Sequence, residues 1–238
     1  MDSRLFAIGD IHGCYDELVQ LISVINPKTS DTLIFVGDYI DRGANSSAVL
    51  DFIIELGGRC NVIALKGNHE SMMQSAFLER DKDIRAKWVF NWLRNGAHET
   101  LQSYGLGLDC FEDKERLPAK VKEHLNFINS MPTYHITATH IFVHATPRPN
   151  IEISEQDEMD LLWRREGRTE QQLGYDHISG KTVISGHTAQ ANGKPKQLSD
   201  KNIIIDSGCF HTGWLTAMNV DNGAFIQADK FGCREISN

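Results

Sequence analysis

The stretch GDYIDRG (Gly37–Gly43) sets Asp38 and Asp41 three residues apart, with Arg42 beside the second and a glycine at each end. Carboxylates hold divalent cations, and a guanidinium fork matches phosphate oxygens. Four more polar clusters accompany it: GDIHG (Gly9–Gly13), GNHE (Gly67–Glu70), VHA (Val143–Ala145) and SGHT (Ser185–Thr188). Asp10, His12, Asp38, Asn68, His144 and His187 offer oxygen and imidazole nitrogen. That mixture suits manganese, iron or zinc better than calcium or magnesium. Asp10 and His12 are two apart, so both can face one side where an extended chain leaves a strand. A carboxylate such as Asp38 has two oxygens and can bridge two cations. These residue types suit a two-metal centre that grips phosphate.

Each cluster follows a short apolar run. Leu5–Ile8, Thr32–Val36, Asn61–Leu65, His140–Val143, Lys181–Ser185 and Asn202–Ile205 read as buried strands. Between the first three, Leu18, Leu21, Ile22 and Ile25 mark one helix face, and Val49, Ile53 and Leu56 mark another. Strand, helix, strand, helix, strand implies parallel pairing with crossover helices. In such sheets ligands gather outside the carboxyl ends of the strands, so five clusters at those ends can converge on one point. Residues 70–130 read as helical, with Met72, Met73, Ala76 and Phe77 in one stripe, Trp88 and Trp92 in a second, and Val121, Leu125 and Ile128 in a third. All three stripes are read as core packing. Asp221-Asn222-Gly223 between alternating apolar residues signals a hairpin turn. Residues 192–201 read as a surface loop.

The chain has 238 residues, of which 41% are hydrophobic, enough for one well-packed domain. A net charge of −8 argues against a partner recognised by its nucleic-acid phosphates and, more weakly, against an anionic membrane. The five cysteines are widely spaced and odd in number, which predicts reduced thiols, used for packing, in a cytoplasmic protein. The first motif is complete by Gly13, so no signal peptide is expected. No apolar run approaches the ~20 residues of a membrane span.

In this order the motifs GDIHG, GDYIDRG, GNHE, VHA and GHT resemble the PPP-type metallophosphatases, most closely the bacterial and phage protein phosphatases of the lambda-phosphatase type. The likeness runs from Gly9 to the IDSGCF…LTAM stretch (Ile205–Met218). It implies an α/β fold, an αββα sandwich of two mixed β-sheets flanked by helices, as a single catalytic domain over residues 1–238. It implies two divalent cations, manganese first, with iron or zinc as alternatives. Asp10, His12 and Asp38 would bind the first, and Asp38, Asn68, His144 and His187 the second. His69 would be the general acid, Asp41 would hold its imidazole, and Arg42 would bind phosphate oxygens. A second phosphate-binding arginine is expected in a W-x-R context, which favours Arg165 over its neighbour Arg164 in LLWRRE. A hydroxide on the metal pair would attack phosphorus directly, and His69, its pKa raised by Asp41, would protonate the leaving oxygen. The implied partner is a phosphoprotein or phosphopeptide acted on by a monomer.

The chain also departs from relatives of that family. Where broader metallophosphoesterases carry G-H-x-H, this sequence has Gly186-His187-Thr188-Ala189, without the last ligand. Thr146-Pro147 after VHA puts the local loop in question, and His211 is a candidate for the rim. Two other functions stay open. One is symmetrical hydrolysis of diadenosine tetraphosphate, whose enzymes share the three N-terminal motifs. The other is a non-catalytic binding module, whose expected sign would be loss of a ligand or of the acid.

Overall fold

In a computed structural model that describes residues 3–112, 117–167 and 175–236, the chain forms two mixed sheets with helices on their outer faces. The chain opens with β1 (Leu5–Ile8), α1 (Tyr15–Ile25), β2 (Thr32–Phe35), α2 (Ser46–Leu56) and β3 (Asn61–Ala64). A helical block follows: α3 (Asn68–Leu78), α4 (Lys82–Arg94), α5 (Ala97–Ser103) and α6 (Ala119–Ser130). Then come β4 (Tyr134–Ile136), β5 (His140–Val143), α7 (Glu158–Trp163), β6 (Thr182–Ser185), β7 (Lys196–Ser199) and β8 (Asn202–Ile204). A short α8 (Cys209–Thr212) precedes the meander of β9 (Leu215–Asn219), β10 (Phe225–Asp229) and β11 (Gly232–Ile236). The first sheet has the order β11-β10-β9-β1-β2-β3, and the second β4-β5-β6-β8-β7. The strands β1, β2 and β3 pair in parallel, as do β5, β6 and β8.

Alternation along each strand builds the layers. Phe6, Ile8, Leu33 and Phe35 face the helices, whereas Ala7, Ile34 and Val36 face the second sheet. From that sheet, Phe142 and Ile184 meet them, while Ile141, Val143 and Val183 pack outward with Leu161 of α7. Both faces of the central strands are covered, so these strands read as continuous apolar runs. Each fully buried valine, leucine, isoleucine or phenylalanine here contributes about 1.5–3 kcal/mol. The predicted fold class is therefore the observed one. The helical block divides at Glu79 and Asn95, where α3 and α4 end. The five cysteines carry free thiols. No helix among the described residues is long and apolar enough to cross a membrane.

One expectation fails. Within the predicted loop 192–201, Lys196–Ser199 forms β7, an antiparallel edge strand on β8 with an irregularity between Gln197 and Ser199. An edge strand whose side chains stay partly exposed needs no apolar pattern, so periodicity cannot reveal it. The hairpin signal at Asp221–Gly223 is realised between β9 and β10, with Gly223 at φ 75° and its N–H on Asn219 O at 2.8 Å.

The amino ends of the first three strands are tied by Asp31. Its carboxylate accepts from Arg4 N–H (3.0 Å), Arg4 Nη2 (2.6 Å) and Lys28 N–H (2.9 Å), and its carbonyl accepts from Asn61 N–H at 3.0 Å. The Arg4 guanidinium holds the buried carboxyl at about 2, below its ordinary 3.8. A pKa depressed in the folded state stabilises the fold fully above the unfolded value, and that stability is lost as pH falls through the folded one. With Arg4 partly exposed, the linkage is worth about 2 kcal/mol. Asp31→Asn should lower stability at pH 7 by about that amount and flatten the acid loss of urea midpoint between about pH 4 and pH 2. An unchanged slope in that window would place the acid sensitivity elsewhere.

Candidate metal centre and active-site cleft

At the opposite end of the same sheets the predicted site residues collect. Asp10 and His12 follow β1; Asp38, Asp41 and Arg42 follow β2; Asn68 and His69 open α3. His144 follows β5, Arg165 lies just beyond α7, and His187 follows β6. The first two loops are stitched together by backbone: Ile11 and His12 N–H both donate to Asp38 O at 2.9 Å, and Gly13 N–H to Tyr39 O at 2.8 Å. The third loop is locked on through Glu70, which is fully buried. Its carboxylate accepts the N–H groups of Asp38 (2.9 Å), Tyr39 (2.8 Å), Ile40 (3.3 Å) and Gly67 (3.0 Å). Burial, with Asp38 nearby, pushes Glu70 up to about 8, opposed by the backbone N–H groups it accepts and by its place in the first turn of α3, where the helix dipole favours a negative charge.

These loops are strained. Six non-glycine residues among those described have positive φ, and five of them are His12, Asp38, Asp41, Arg42 and His187. Left-handed backbone outside glycine gathers where surrounding bonds over-determine the chain. Close approach matters as well: a side chain at Gly186 would collide with the Asp10 carboxylate, which accepts His187 N–H at 2.9 Å.

Asp38 is the hub. Its Oδ2 lies 3.5 Å from His12 Nε2 and 3.9 Å from His69 Nε2, and its Oδ1 lies 3.4 Å from His144 Nε2. Donor atoms of His12, Asp38 and His69 lie within 4.8 Å of one another, as do those of Asp38, His144 and His187. Two cation-sized groups therefore share one carboxylate. Asn68 Oδ1 joins the second, 2.9 Å from His144 Nε2 and 3.1 Å from His187 Nδ1. Asp10 stands outside the tighter first group, beside Asp206 and against the backbone of His187. Burial, with Asp206 and Asp38 nearby, pushes Asp10 well above the usual carboxylate range. Burial likewise pushes Asp206 up to about 6.

Whether cations fit can be judged from the protons. His144 Nδ1 meets Val36 O at 2.9 Å and His12 Nδ1 meets Ile40 O at 2.8 Å, which turns each Nε2 toward Asp38. Anchoring one ring nitrogen on a carbonyl is the usual support of a metal-binding histidine. His187 faces an oxygen acceptor on both nitrogens, Asn68 Oδ1 at Nδ1 and Trp163 O at Nε2 (3.2 Å). Burial pushes its pKa down to about 3, so the ring carries one proton for two acceptors. A cation held by His187 and Asn68 would resolve that conflict. Burial works against a charge on His144, but Asp38 outweighs it and raises the imidazole, so a proton and a cation compete for one nitrogen. Burial alone would raise Asp38, yet His144, His69 and His12 outweigh it and hold the carboxyl well below its ordinary value. The donor set fits two divalent cations.

His69 Nδ1 and Asp41 Oδ2 are 2.6 Å apart in a fully enclosed pair. Asp41 also accepts from Thr100 Oγ1 (2.6 Å) and Trp92 Nε1 (2.8 Å). Trp92 is thus more than the packing residue its periodicity predicts. Sequence reasoning did not single out Thr100, whose position in α5 carries no motif. The expected upward shift of His69 is not what the site produces. Burial penalises both charges, pushing Asp41 well up and His69 down to about 4.

Asp38, Arg42, Asn68, Asn95, Trp163, Arg165 and His187 line a cleft of about 160 Å³. Arg165 faces this cleft, whereas Arg164 Nη1 donates to Thr146 O and Pro147 O, both at 3.1 Å. The unusual Thr146-Pro147 loop beside His144 is thereby pinned by the arginine that points away. Arg42 Nη1 donates to His12 Nε2 at 2.5 Å, and its guanidinium stands 4.8 Å from the Phe210 ring centroid. Phe210, 43% exposed, also meets the edge of His12 at 5.5 Å. His211, the predicted rim residue, is exposed, and it is its neighbour that touches the site. Phe210 follows the glycine and cysteine of the last motif, a signal that composition alone does not carry.

The comparisons with known proteins agree with this geometry. The model of the calcineurin-like phosphoesterases matches residues 3–191. Serine/threonine-protein phosphatase 1 of Salmonella typhimurium is 30% identical, covering 91% of this chain and 92% of the relative. A symmetrical bis(5'-nucleosyl)-tetraphosphatase of Cellvibrio japonicus is 25% identical, covering 93% and 97%. Among solved structures, a cold-active protein-tyrosine phosphatase of a Shewanella species superposes with a TM-score of 0.65 at 17% identity, covering 100% of this chain and 81% of that one, a likeness of fold. With the matching model spanning most of its length, this chain belongs to the calcineurin-like phosphoesterase family.

Proposed function

We propose that the chain hydrolyses phosphate monoesters, above all phosphoserine and phosphothreonine in proteins and peptides. The observation that carries this reading is the cleft itself. Its volume of about 160 Å³ lies between Asp38 and the two arginines Arg42 and Arg165. Pockets that enclose a whole small molecule run to about 300–1,000 Å³. This one takes a phosphate and the first atoms of its carrier and leaves the rest outside. The Salmonella protein phosphatase supports the same assignment.

In this reading Asp10, His12 and Asp38 hold one divalent cation, and Asp38, Asn68, His144 and His187 hold the other. Manganese suits the set best, with iron and zinc as alternatives. When bound, such a pair supplies Lewis-acid polarisation of phosphate oxygens and an acidified water. The chain's own residues do the remainder. Arg42 and Arg165 bind and orient the non-bridging oxygens with charge-assisted hydrogen bonds. His69 delivers a proton from Nε2 to the leaving oxygen, and Asp41 fixes the ring through Nδ1. Trp92 and Thr100 hold Asp41 in turn.

A second reading, symmetrical cleavage of dinucleoside tetraphosphates, is favoured by Phe210, a part-exposed aromatic beside Arg42 on which a nucleobase can stack. The Cellvibrio relative bears that name. The two readings separate in kcat/KM measured under one metal and one pH. Phosphopeptides should be preferred, and a diadenosine tetraphosphate value tenfold or more above the best phosphopeptide would replace the first reading by the second.

His69→Asn should cost ~10²–10⁴-fold in kcat on alkyl phosphates. Aryl phosphates, whose leaving groups need less protonation, should lose less. Equal losses on both would remove His69 from the role of acid.

Arg165→Ala should lower kcat/KM by about 10–100-fold, the worth of a charge-assisted hydrogen bond to phosphate. Arg164→Ala should change kcat/KM little and instead lower the melting temperature by freeing the 146–147 loop. The reverse order of the two kinetic effects would exchange their roles.

A further inference from the structure

Behind the cleft lies a second kind of cluster, built from Cys14, Glu17 and Cys209. Their two Sγ atoms and one carboxylate oxygen all lie within 4.8 Å of one another. Cys14 caps the amino end of α1 and Glu17 stands three residues further on, so both side chains lie over the same turn. Cys209 comes from the far end of the chain, as the first residue of α8. Cys209 is 1% exposed, whereas Cys14 and Glu17 are half-buried, which leaves the cluster one open side. The other two such groups among the described residues contain no sulfur.

We propose that Cys14, Glu17 and Cys209 form a third cation site, for a thiophilic divalent ion such as zinc or cadmium. A tetrahedral zinc with Zn–S near 2.3 Å and Zn–O near 2.1 Å has ligand-to-ligand edges of roughly 3.6–3.8 Å. Contraction of the cluster by about an ångström reaches that size, and solvent fills the fourth position through the open side. Binding breaks two S–H bonds, forms two metal–sulfur bonds and releases two protons to solvent. Selectivity follows from the donors: thiolates favour soft cations, and the oxygen and nitrogen set around Asp38 suits manganese.

The site also has a mechanical consequence. In the thiol form Cys14 Sγ donates to His12 O at 3.6 Å, a bond given up when its thiolate takes a cation, and Cys209 precedes Phe210, which lies against His12 and Arg42. A cation here joins α1 to α8 and fixes Phe210 over the phosphate-binding arginine.

The test uses the reduced, manganese-loaded protein titrated with cobalt(II). Because the Asp38 groups hold no sulfur, a thiolate-to-cobalt charge-transfer band in the near ultraviolet reports a thiol site, and its loss in the Cys14 and Cys209 variants distinguishes this cluster from Cys60, Cys110 and Cys233. One equivalent should develop the band, and Cys14→Ser should abolish it while leaving the melting temperature close to that of the parent. Cys209→Ser should do the same, and Glu17→Gln should weaken cobalt binding about tenfold. The proposal is overturned if no band develops, or if it survives in Cys14→Ser, whose part-exposed position keeps that control informative even where the buried Cys209 variant fails to fold. The readout is independent of phosphatase activity, so it stands apart from the substrate assignment.

Discussion

A single acidic side chain holds the second and third amino-terminal motifs in register, and backbone bonds tie the first to the second. Glu70 takes four backbone N–H groups from two loops, and without it Asp38, Tyr39, Ile40 and Gly67 would carry buried donors with no acceptor. Each orphaned group costs about 1–3 kcal/mol, so the loops stay together. That clamp is what lets Asp38 adopt φ 56° with its carboxylate aimed between three imidazoles. Strained residues of this kind cost about 1–3 kcal/mol each, and five cluster here. The ladders of β1, β2 and β3 and the layers on both of their faces supply the rigidity against which the strain is maintained. Geometry at Asp38 is therefore a property of the sheet and of Glu70 together, not of Asp38 alone.

The two ends of the first sheet divide the labour. At the amino ends Asp31 binds a guanidinium and two amides, a pairing that lowers its pKa and stabilises the fold. At the carboxyl ends acidic groups are brought together without an equal number of buried basic partners. Asp10, Asp38 and Asp206 repel one another there, and burial and this repulsion push Asp10 and Asp206 up. Such an arrangement favours whatever brings positive charge into the cluster, a proton or a cation.

Much of this was open to reading from the sequence, for a physical reason. Strands covered on both faces show as apolar runs, and their carboxyl-terminal motifs stand within a few residues of them, so Asp10, His12, Asp38, Asn68, His144 and His187 announce both position and chemistry. What stayed hidden depends on pairing across distance. Trp92 lies 51 residues from Asp41, and its indole looks like any helix-face aromatic until the fold brings its N–H to that carboxylate. β7 is set by its backbone pairing with β8, not by its side chains. The upward shift expected of His69 fails because a neighbouring carboxylate can be read from a motif, whereas the depth of burial that outweighs it cannot.

The His69–Asp41 pair shows how these constraints meet. Enclosure disfavours charge on either partner, yet at 2.6 Å the two share a hydrogen bond that is present whether the proton rests on nitrogen or on oxygen. Thr100 and Trp92 donate to the Asp41 carboxylate and not to His69, so they favour the carboxylate form and hence the imidazolium, opposing the effect of burial. Two fixed donors to Asp41 and the dry enclosure around both partners act on the pair in opposite senses. In the proposed reaction a phosphate held by Arg42 and Arg165 would add negative charge at the Nε2 face, and that addition would move the balance toward imidazolium where a leaving oxygen requires its proton.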